Sequence, residues 1–322
     1  MSNRWLPLAA IGVSVVLWSA AYVISGWALE TGSPAVLSVG RFAIALLVLL
    51  PLAARRPGFI KTIRRPHTIL LGLTGVTLYY SLANIGLLFT TPGTAALTAA
   101  FLPVLTAGAA VLILRERLGR RTIIGLALAT IGVGLVAASG FRIDVGVLLN
   151  IVALASYALY TVLLRRDAVR GDGPDALVLA TATGVWGTVI MLPWLGWEML
   201  TGTAAIPSDP RGLLGILILA LVVTAPTLVL FNYGAERLPA AISGVATAAI
   251  PALGYGFALL VGEPLDPIKA VGGAIAMVGV VIATLETPDV EPSPPGSALP
   301  EPAELATGPH AIAEPEKGPP RA

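Results

Sequence analysis

The stretch NIGLLFTTPGTAALTAAFLPVL, residues 84–105, recurs in a weaker form as NYGAERLPAAISGVATAAIPAL, residues 232–253. Asn, Gly, Pro and Leu stand at matching places in the two stretches, 148 positions apart. Farther along, an offset of 147 positions matches Gly, Ala and Val residues of 125–133 with those of 272–280. Matches of Ala or Leu carry little weight in so apolar a chain, whereas Asn, Gly and Pro in register indicate duplication. We therefore predict two copies of one unit, residues 1–140 and 141–286.

The composition of the chain predicts a membrane protein. Of its 322 residues, 56% are hydrophobic and only 12% are charged, and the mean hydropathy is +0.86. A soluble domain carries roughly 25% charged residues. Half that share cannot cover the surface of a globule in water, so most of the surrounding solvent must be lipid.

The residue inventory argues against catalysis and metal binding. The chain has no Cys, and its two His residues, His67 and His310, lie beside a basic loop and in the C-terminal tail. Disulfides, thiolate catalysis and Cys-ligated metals are therefore excluded. The sequence also lacks a phosphate-binding Gly-Lys-Ser/Thr loop and a zinc-binding HExxH helix. We expect no enzyme activity, no cofactor, no metal and no nucleic-acid partner.

Ten apolar stretches each come close to the roughly 20 residues that cross a bilayer as a helix. Such lengths favour helices over buried strands, and the roughly 10-residue alternating segments of a membrane β-barrel are missing. The predicted fold is an all-α membrane protein with ten transmembrane helices. The predicted spans are residues 6–29, 34–54, 68–89, 93–114, 121–139, 145–164, 175–197, 212–233, 238–261 and 267–286.

Positive charges set the predicted orientation. Fourteen Arg and Lys residues fall on one side of the ten spans, and only Arg142, Arg211 and Lys269 fall on the other. Because cytoplasmic loops carry the excess of positive charge, the N-terminus is predicted to be cytoplasmic. Ten crossings return the C-terminus to the same side. There, residues 287–322, rich in Pro, Gly, Ala and Glu, are expected to form a disordered cytoplasmic tail.

Each copy of the repeat contains five spans, which is an odd number. The two copies must then enter the membrane from opposite faces, so the predicted architecture is two inverted five-helix repeats. The loop at Glu116 should be cytoplasmic, and its counterpart at Glu263 should be external. Inverted repeats of this kind recur in secondary transporters.

Polar aromatic residues predict a site inside the bundle. All seven Tyr residues lie in predicted spans, and a hydroxyl that faces hydrocarbon without a partner costs roughly 4 to 8 kcal/mol. The rings should therefore face other helices or water, either around a substrate or as interhelical contacts and interface anchors. The candidate substrate-binding residues are Trp18, Tyr22, Tyr79, Tyr80, Asn84, Phe101, Tyr157, Tyr160, Asn232 and Tyr233.

The Asn and Arg residues inside the spans each allow two interpretations. Asn84 and Asn232 either hydrogen-bond a substrate or tie two helices together. Arg41 lies roughly 10 Å from the external end of its span, at 1.5 Å per residue. A charge inside the membrane is by default a functional candidate, so Arg41 either binds a carboxylate or snorkels outward and holds a neighbouring helix.

Three prolines fall inside predicted spans. Pro103, Pro226 and Pro251 each remove a backbone hydrogen bond and free the carbonyl group four residues earlier. In lipid, such carbonyls are tolerated only against protein or a water-filled cavity. We predict that these prolines act as hinges beside a substrate path, and static kinks are the alternative.

Two further patterns limit the mechanism and the assembly. No Asp or Glu lies at mid-membrane depth, so the sequence shows neither a proton-driven site nor an acidic counter-charge for a cationic drug. Spans five and ten lack aromatic residues and are rich in Gly and Ala. Such spans suit close helix packing, within the chain or as a dimer face.

Five short motifs carry a family resemblance. They are Trp18-Ser19 in span one, Arg41-Phe42 in span two, Pro103 in span four, Arg115-Glu116-Arg117-Leu118 after span four, and Gly262-Glu263-Pro264-Leu265 after span nine. Together with the repeat they resemble the EamA-type branch of the drug/metabolite transporter superfamily, over residues 6–286. Within that branch the chain looks closest to bacterial aromatic amino acid exporters. The resemblance implies a central cavity between the repeats and export of amino acids, related metabolites or drugs.

The sequence thus predicts an exporter in a bacterial inner (plasma) membrane. It would move neutral small molecules, above all apolar and aromatic amino acids, by alternating access without an intramembrane proton site, as a monomer or homodimer. A drug or other-metabolite exporter is the first alternative, and a non-transporting membrane scaffold protein is the second. The expected partners are a small-molecule substrate and the lipid bilayer.

Overall fold

The computed structural model describes residues 5–114, 119–138, 144–169, 174–235, 247 and 249–284. Every regular element in these ranges is a helix, and no strand occurs among them. The all-α prediction is confirmed for this part of the chain. The predicted tail, residues 287–322, and the loop at Glu116 lie outside the described residues.

Eleven helices follow one another along the described ranges. They are α1 (Trp5–Leu29), α2 (Pro34–Ala54), α3 (Phe59–Ile63), α4 (Pro66–Gly72, Leu73–Leu78 and Tyr79–Gly86), α5 (Pro92–Thr98, Ala99–Phe101 and Leu102–Leu114), α6 (Arg120–Ala138), α7 (Val145–Val169), α8 (Ala176–Thr201), α9 (Pro210–Ile218, Leu219–Thr224 and Ala225–Ala235), α10 (Ile250–Leu260) and α11 (Pro267–Thr284).

Several helices begin with a polar residue followed by proline. Thr91 and Asp209 precede the first prolines of α5 and α9, and their side-chain oxygens accept hydrogen bonds from Thr94 N (3.3 Å) and Gly212 N (2.8 Å). The polar side chain satisfies an amide that has no partner inside the helix, and proline has no amide to satisfy. These pairs explain why the helices start where they do.

Two long helices contain a π-helical segment that the sequence did not predict. Leu73–Leu78 interrupts α4, and Leu219–Thr224 interrupts α9 146 positions later. The Thr224 hydroxyl donates to the Leu219 carbonyl at 2.7 Å, and the Ser156 hydroxyl on α7 donates to the Thr74 carbonyl at 3.0 Å. Side chains therefore satisfy carbonyls that the π geometry displaces, which an apolar environment requires.

Seven helices among the described residues are long and apolar enough to cross a membrane, namely α1, α2, α4, α5, α7, α8 and α9. Their outer surfaces expose large apolar side chains such as Leu47 (75%) and Leu112 (82%), which suits contact with lipid. α10 and α11 are shorter apolar helices, and the start of the predicted ninth span lies outside the described residues. A count of ten crossings therefore stays a prediction.

The main helix contacts are retained when the two predicted copies are exchanged. α1 packs against α9 and α10, as α7 packs against α4 and α5. The contact between α4 and α8 corresponds to that between α9 and α2. The pairs α2–α8, α5–α10 and α6–α11 each join equivalent helices of the two copies. The first helix of each copy thus packs into the other copy, and the described helices form one compact unit. The boundary between the copies stays a prediction.

Glycines allow α6 and α11 to pack with their backbones in contact. A Cβ atom on Gly279 would lie 2.5 Å from the amide nitrogen of Ala129 and from the carbonyl oxygen of Gly125. Gly132 approaches the backbone of Gly272 equally closely. The predicted close packing of spans five and ten is therefore observed within one chain, and their small-residue faces are used there.

Carboxylates at one end of the bundle bind the starts of neighbouring helices. Glu198, near the end of α8, accepts hydrogen bonds from the Ser33 hydroxyl (2.5 Å) and the Ala35 amide (3.2 Å) at the start of α2. Glu263, after α10, accepts from the Thr91 hydroxyl and from a first-turn amide of α5 (3.0 Å). Because acidic groups stabilise helix N-termini, each carboxylate holds a helix of the other predicted copy.

Charges segregate between the two ends of the bundle. The end just described, called the carboxylate end, carries Glu30, Asp144, Glu198, Asp209, Glu263 and Asp266. The opposite end, called the arginine end, carries Arg55, Arg56, Lys61, Arg64, Arg65, Arg120 and Arg121. Among the described side chains, Asp175 at the arginine end and Arg211 and Lys269 at the carboxylate end are the exceptions. The predicted orientation makes the arginine end cytoplasmic.

Candidate functional site

Four tyrosine rings form a continuous chain inside the bundle. The ring centroids of Tyr80 and Tyr79 on α4 lie 4.8 Å apart, and those of Tyr79 and Tyr157 on α7 lie 5.0 Å apart. The centroids of Tyr157 and Tyr160 are 5.4 Å apart. Gly75, in the π-segment of α4, makes room for the last ring, because an added Cβ atom would lie 2.5 Å from it. The tyrosine chain thus joins a helix of each predicted copy.

Two aromatic residues of α1 extend the tyrosine chain. The hydroxyls of Tyr22 and Tyr79 lie close enough to interact electrostatically. One turn earlier on α1, the Trp18 ring centroid lies 4.7 Å from that of Phe231, and its Nε1 atom donates to Thr227 Oγ1 at 3.1 Å. Trp18 and Tyr22 therefore share one face of α1, as their spacing predicts, and they connect α9 with the tyrosine chain.

A buried positive charge lies at the other end of the tyrosine chain. Arg41 is only 3% exposed, and its Cζ atom lies 4.7 Å from the centroid of the Tyr80 ring, a cation–π contact. Its Nε atom donates to Thr224 Oγ1 at 2.5 Å. The guanidinium is held between α4 and the π-segment of α9, so it contacts a neighbouring helix without snorkelling to the surface.

Asn84 lies on α4 one turn beyond Tyr80 and is buried. Its Nδ2 atom donates to Ser38 Oγ on α2 at 2.8 Å, and the Ser38 hydroxyl donates to the Pro34 carbonyl at 2.7 Å. Ser38 precedes Arg41 by three residues on the same helix. The Asn84 amide therefore ties two helices together beside Arg41, and a substrate contact by this amide stays a prediction.

The other predicted site residues lie apart from the tyrosine chain or outside the described side chains. Phe101 packs on α6 and α11, against Ala129 and Val133 among others, and no ring contact joins it to the tyrosines in the described part of the chain. Tyr233 is half-buried on α9. The side chain of Asn232 lies outside the described residues.

Two of the three predicted hinge prolines lie beside irregular helix geometry. Pro226 follows the π-segment of α9 by two residues, and Pro103 follows the 3₁₀ turn of α5 by two residues. Pro251 lies in the first turn of α10, where proline is well tolerated. Residues 236–246 and 248, which precede it, lie outside the described residues. A hinge role for the three prolines stays a prediction.

Sequence reasoning missed three hydroxyl residues of the site, Ser38, Thr224 and Thr227. Ser and Thr are common in membrane helices and usually bond their own backbone, as Ser14 and Ser19 do here. The available signal was spacing, since Ser38 lies one turn before Arg41. Nothing in the local sequence marked the partners on α9.

The groups assembled here suit recognition of a small molecule. A guanidinium binds carboxylates well, tyrosine rings bind apolar and aromatic groups, and the hydroxyls and amide supply hydrogen bonds. Each Asp and Glu whose side chain is described lies at or beside a helix end. No cluster of three or more metal-binding side chains occurs within the described ranges.

The helical bundle, with its apolar outer surface and its buried polar and aromatic centre, defines a multi-pass membrane protein. The chain belongs to the EamA-like transporter family, whose model matches residues 5–138 and, a second time, residues 144–285. The resemblance drawn from the sequence is confirmed, and the protein is a transporter and not an enzyme.

Relatives of known name agree with this family. A "Probable terminal-alkyne amino-acid exporter" of Streptantibioticus cattleyicolor is 29% identical over 286 residues, covering 86% of this chain and 93% of the relative. An "Uncharacterized transporter" of Archaeoglobus fulgidus is 23% identical and covers 87% and 98%. The transporter YetK of Bacillus subtilis, also uncharacterized, is 26% identical and covers 89% and 87%.

A solved structure, titled only "Crystal structure of protein", shares the fold. It superposes with a TM-score of 0.64 at 18% identity, covering 87% of this chain and 97% of the other. At this identity the likeness concerns the fold alone.

Proposed function

We propose that this protein exports neutral small molecules, chiefly apolar and aromatic amino acids, from a bacterial cytoplasm across the inner membrane. The observation that carries the proposal is Arg41 beside Tyr80. A buried cation suits the carboxylate of an amino acid, and the adjoining rings suit its apolar side chain. The named amino-acid exporter among the relatives supports the same substrate class.

The proposed architecture is ten transmembrane helices in two inverted five-helix repeats, with both termini in the cytoplasm. Two separate family matches along the chain support the duplication. The contact of α1 with α9 in one direction and of α7 with α4 in the other supports the duplication as well, because the two contacts correspond when the copies are exchanged. An odd number of crossings per copy would invert the second copy, and the position of the arginine end supports the proposed orientation.

Alternating access requires the carboxylate end to open and close. Glu198 and Glu263 each bind a helix of the other copy at that end, so their hydrogen bonds must break when it opens. The π-segments of α4 and α9 provide sites where these helices bend. Because the described carboxylates lie at or beside helix ends, coupling to an intramembrane proton is not part of the proposal.

A counterflow assay with purified protein in liposomes tests the transport proposal. Vesicles loaded with an unlabelled amino acid should take up the same labelled amino acid when it is Phe, Tyr, Trp, Leu or Met, and should exclude Asp and Lys. An imposed pH gradient should change the rate little. The matched control for an Arg41→Gln variant is Arg211→Gln, because Arg211 also lies over an aromatic ring, Trp27, but is exposed. Absence of counterflow for every amino acid would contradict the proposal.

A drug or other-metabolite exporter is the second candidate. The four contacting tyrosine rings favour it, because they would bind any flat apolar compound. Protection of cells against toxic amino acid analogues, compared with protection against lipophilic cations, separates the two candidates. Protection against the cations alone would favour the second.

The scaffold alternative drawn from the sequence does not fit the transporter family, and water access to the tyrosine chain offers an independent test of it. Single Cys residues at positions 80, 84 and 157 can be introduced into this Cys-free chain one at a time. Reaction of these positions with a membrane-impermeant thiol reagent is expected of a transporter. Absence of reaction at all three positions would favour the scaffold.

A further inference from the structure

We infer that the Arg41 site also accepts aromatic monocarboxylates that lack an ammonium group, and that such anions are substrates beside the amino acids. This inference uses the transport activity of the proposed function, but not its choice of amino acids. It rests on the hydrogen bonds of Arg41, on the charge balance around it and on the rings beside it.

Arg41 has donors to spare. A guanidinium carries five N–H groups, and among the described residues Arg41 uses one of them, on Nε, for Thr224. The Thr224 hydroxyl donates its own proton to the Leu219 carbonyl, so its oxygen is left to accept from Arg41. The two terminal nitrogens of Arg41 are therefore the donors that a ligand would meet.

The positive charge of Arg41 has no counter-ion in the described part of the chain. Glu198, which binds the start of α2, has its two oxygens bonded to Ser33 and Ala35. The other described carboxylates lie at helix ends, and the described ion pair is Arg211 with Glu30. A buried ion is stable only when it is paired and hydrogen-bonded. A ligand with one negative charge would therefore balance Arg41.

Charge balance ranks three classes of ligand. A monoanion neutralises Arg41, a zwitterion leaves one positive charge in the site, and a cation adds a second. The ammonium group of an amino acid finds rings, hydroxyls and the Asn84 amide here, and one face of the Tyr80 ring is already occupied by Arg41. The carboxylate therefore contributes more to binding than the ammonium group does.

The rings define the rest of the ligand. The Tyr80 ring contacts Arg41 on one side. Its centroid lies 4.7 Å from that of Phe42 and 4.8 Å from that of Tyr79. A carboxylate held by the terminal nitrogens of Arg41 thus lies directly beside aromatic rings. An aryl or other bulky apolar group attached to the carboxylate suits this arrangement.

Three compounds with one phenyl group but different charges test the inference. Phenylalanine is a zwitterion, 3-phenylpropionate has only the carboxylate, and phenethylamine has only the ammonium group. Binding is measured by intrinsic tryptophan fluorescence of the purified protein, and transport by efflux from proteoliposomes. We expect 3-phenylpropionate to bind at least as tightly as phenylalanine and to leave the vesicles, and phenethylamine to do neither.

Substitution of Arg41 shows whether the charge is responsible. Loss of a charged hydrogen-bonding partner should weaken 3-phenylpropionate binding in Arg41→Gln by about ten- to a hundredfold. Arg41→Lys keeps the charge without the planar fork and should fall between Arg41→Gln and the wild type. Arg211→Gln should bind as the wild type does. If Arg41→Gln does not fold, the ranking of the three compounds in the wild type still tests the inference.

The outcomes separate this inference from the proposed function. Export of phenylalanine without binding or export of 3-phenylpropionate overturns the inference and leaves the amino acid exporter intact. Export of 3-phenylpropionate without any amino acid supports the inference and overturns the amino acid assignment. Preference for phenethylamine, or unchanged acid binding in a folded Arg41→Gln variant, overturns the inference.

Discussion

The Nε atom of Arg41 lies 2.5 Å from the Oγ1 atom of Thr224, so the buried charge of α2 is attached to the π-segment of α9. The same threonine bonds its own helix through the Leu219 carbonyl. Any change in the π-segment therefore moves the hydrogen-bond partner of Arg41, and the conformation of α9 and the charge in the site are linked.

Replacement of Thr224 by Val should impair both stability and transport. The variant keeps the side-chain volume but leaves Arg41 Nε without its acceptor, at a cost of about 1–3 kcal/mol in the free energy of unfolding. Thermal unfolding in detergent and counterflow in liposomes measure the two effects. Thr130→Val is the matched control, because Thr130 bonds only its own helix at an exposed position. Equal behaviour of the two variants would show that the Arg41–Thr224 bond has no consequence.

Gly132 and Gly134 on α6 offer a paired test of the α6–α11 contact. A Cβ atom on Gly132 would collide with the backbone of Gly272 and Ala276, whereas one on Gly134 meets nothing within 4 Å. Backbone cannot move aside as a flexible side chain can, so Gly132→Ala should destabilise the fold by about 1–3 kcal/mol. Gly134→Ala should be neutral or slightly stabilising, since alanine favours helix. Thermal unfolding of the two variants is the measurement, and a stable Gly132→Ala variant would refute the observed packing.

A double-mutant cycle distinguishes the two interpretations of Asn84. If its amide serves to tie α4 to α2 through Ser38, then Asn84→Ala and Ser38→Ala should lower stability by similar amounts. The double variant should lose little more than either one, because the same hydrogen bond is removed. Additive losses, or a loss of substrate affinity confined to Asn84→Ala, would instead favour a direct contact between Asn84 and the substrate.

The cap of α9 should be insensitive to pH across the physiological range. The Thr31 hydroxyl, and after it the Gly212 amide, hold the pKa of Asp209 below its ordinary value of 3.8. A carboxyl with a depressed pKa stabilises the fold above its unfolded pKa and loses this effect as the pH falls through the folded value. Hydrogen exchange of residues 210–216, corrected for the intrinsic rate, should therefore be equal at about pH 7 and about pH 5. Asp209→Ala should exchange faster at both, and fraying of the wild type at the lower pH would contradict this account.

Much of the fold could be predicted because its signals are long. Ten apolar runs of about 20 residues can be recognised without any knowledge of tertiary contacts. The Gly and Ala content of spans five and ten likewise predicted their close packing, because only small residues let two backbones meet. The tyrosine chain was foreseen for a related reason, since the hydroxyls of Tyr79 and Tyr157 require protein or water around them.

The remaining features depend on contacts between distant parts of the chain. The π-segments of α4 and α9 have no local sequence signature, because their displaced carbonyls are satisfied by hydroxyls such as Ser156 on another helix. The direction of the Arg41 side chain was open for the same reason, until Thr224 and Tyr80 fixed it. Phe101 was assigned to the site from its span alone; it packs against a cluster that includes residues of α6 and α11, and its contact with substrate stays a prediction.

The separation of charge along the bundle has a kinetic consequence. Seven described Arg and Lys residues outnumber Asp175 at the arginine end, and six carboxylates outnumber Arg211 and Lys269 at the carboxylate end. Over a Debye length, about 8 Å at physiological salt, the basic rim draws dissolved anions inward and the acidic rim turns them away. Such a field leaves the equilibrium distribution unchanged. It speeds loading at one mouth and slows rebinding at the other, an asymmetry that added salt should erase.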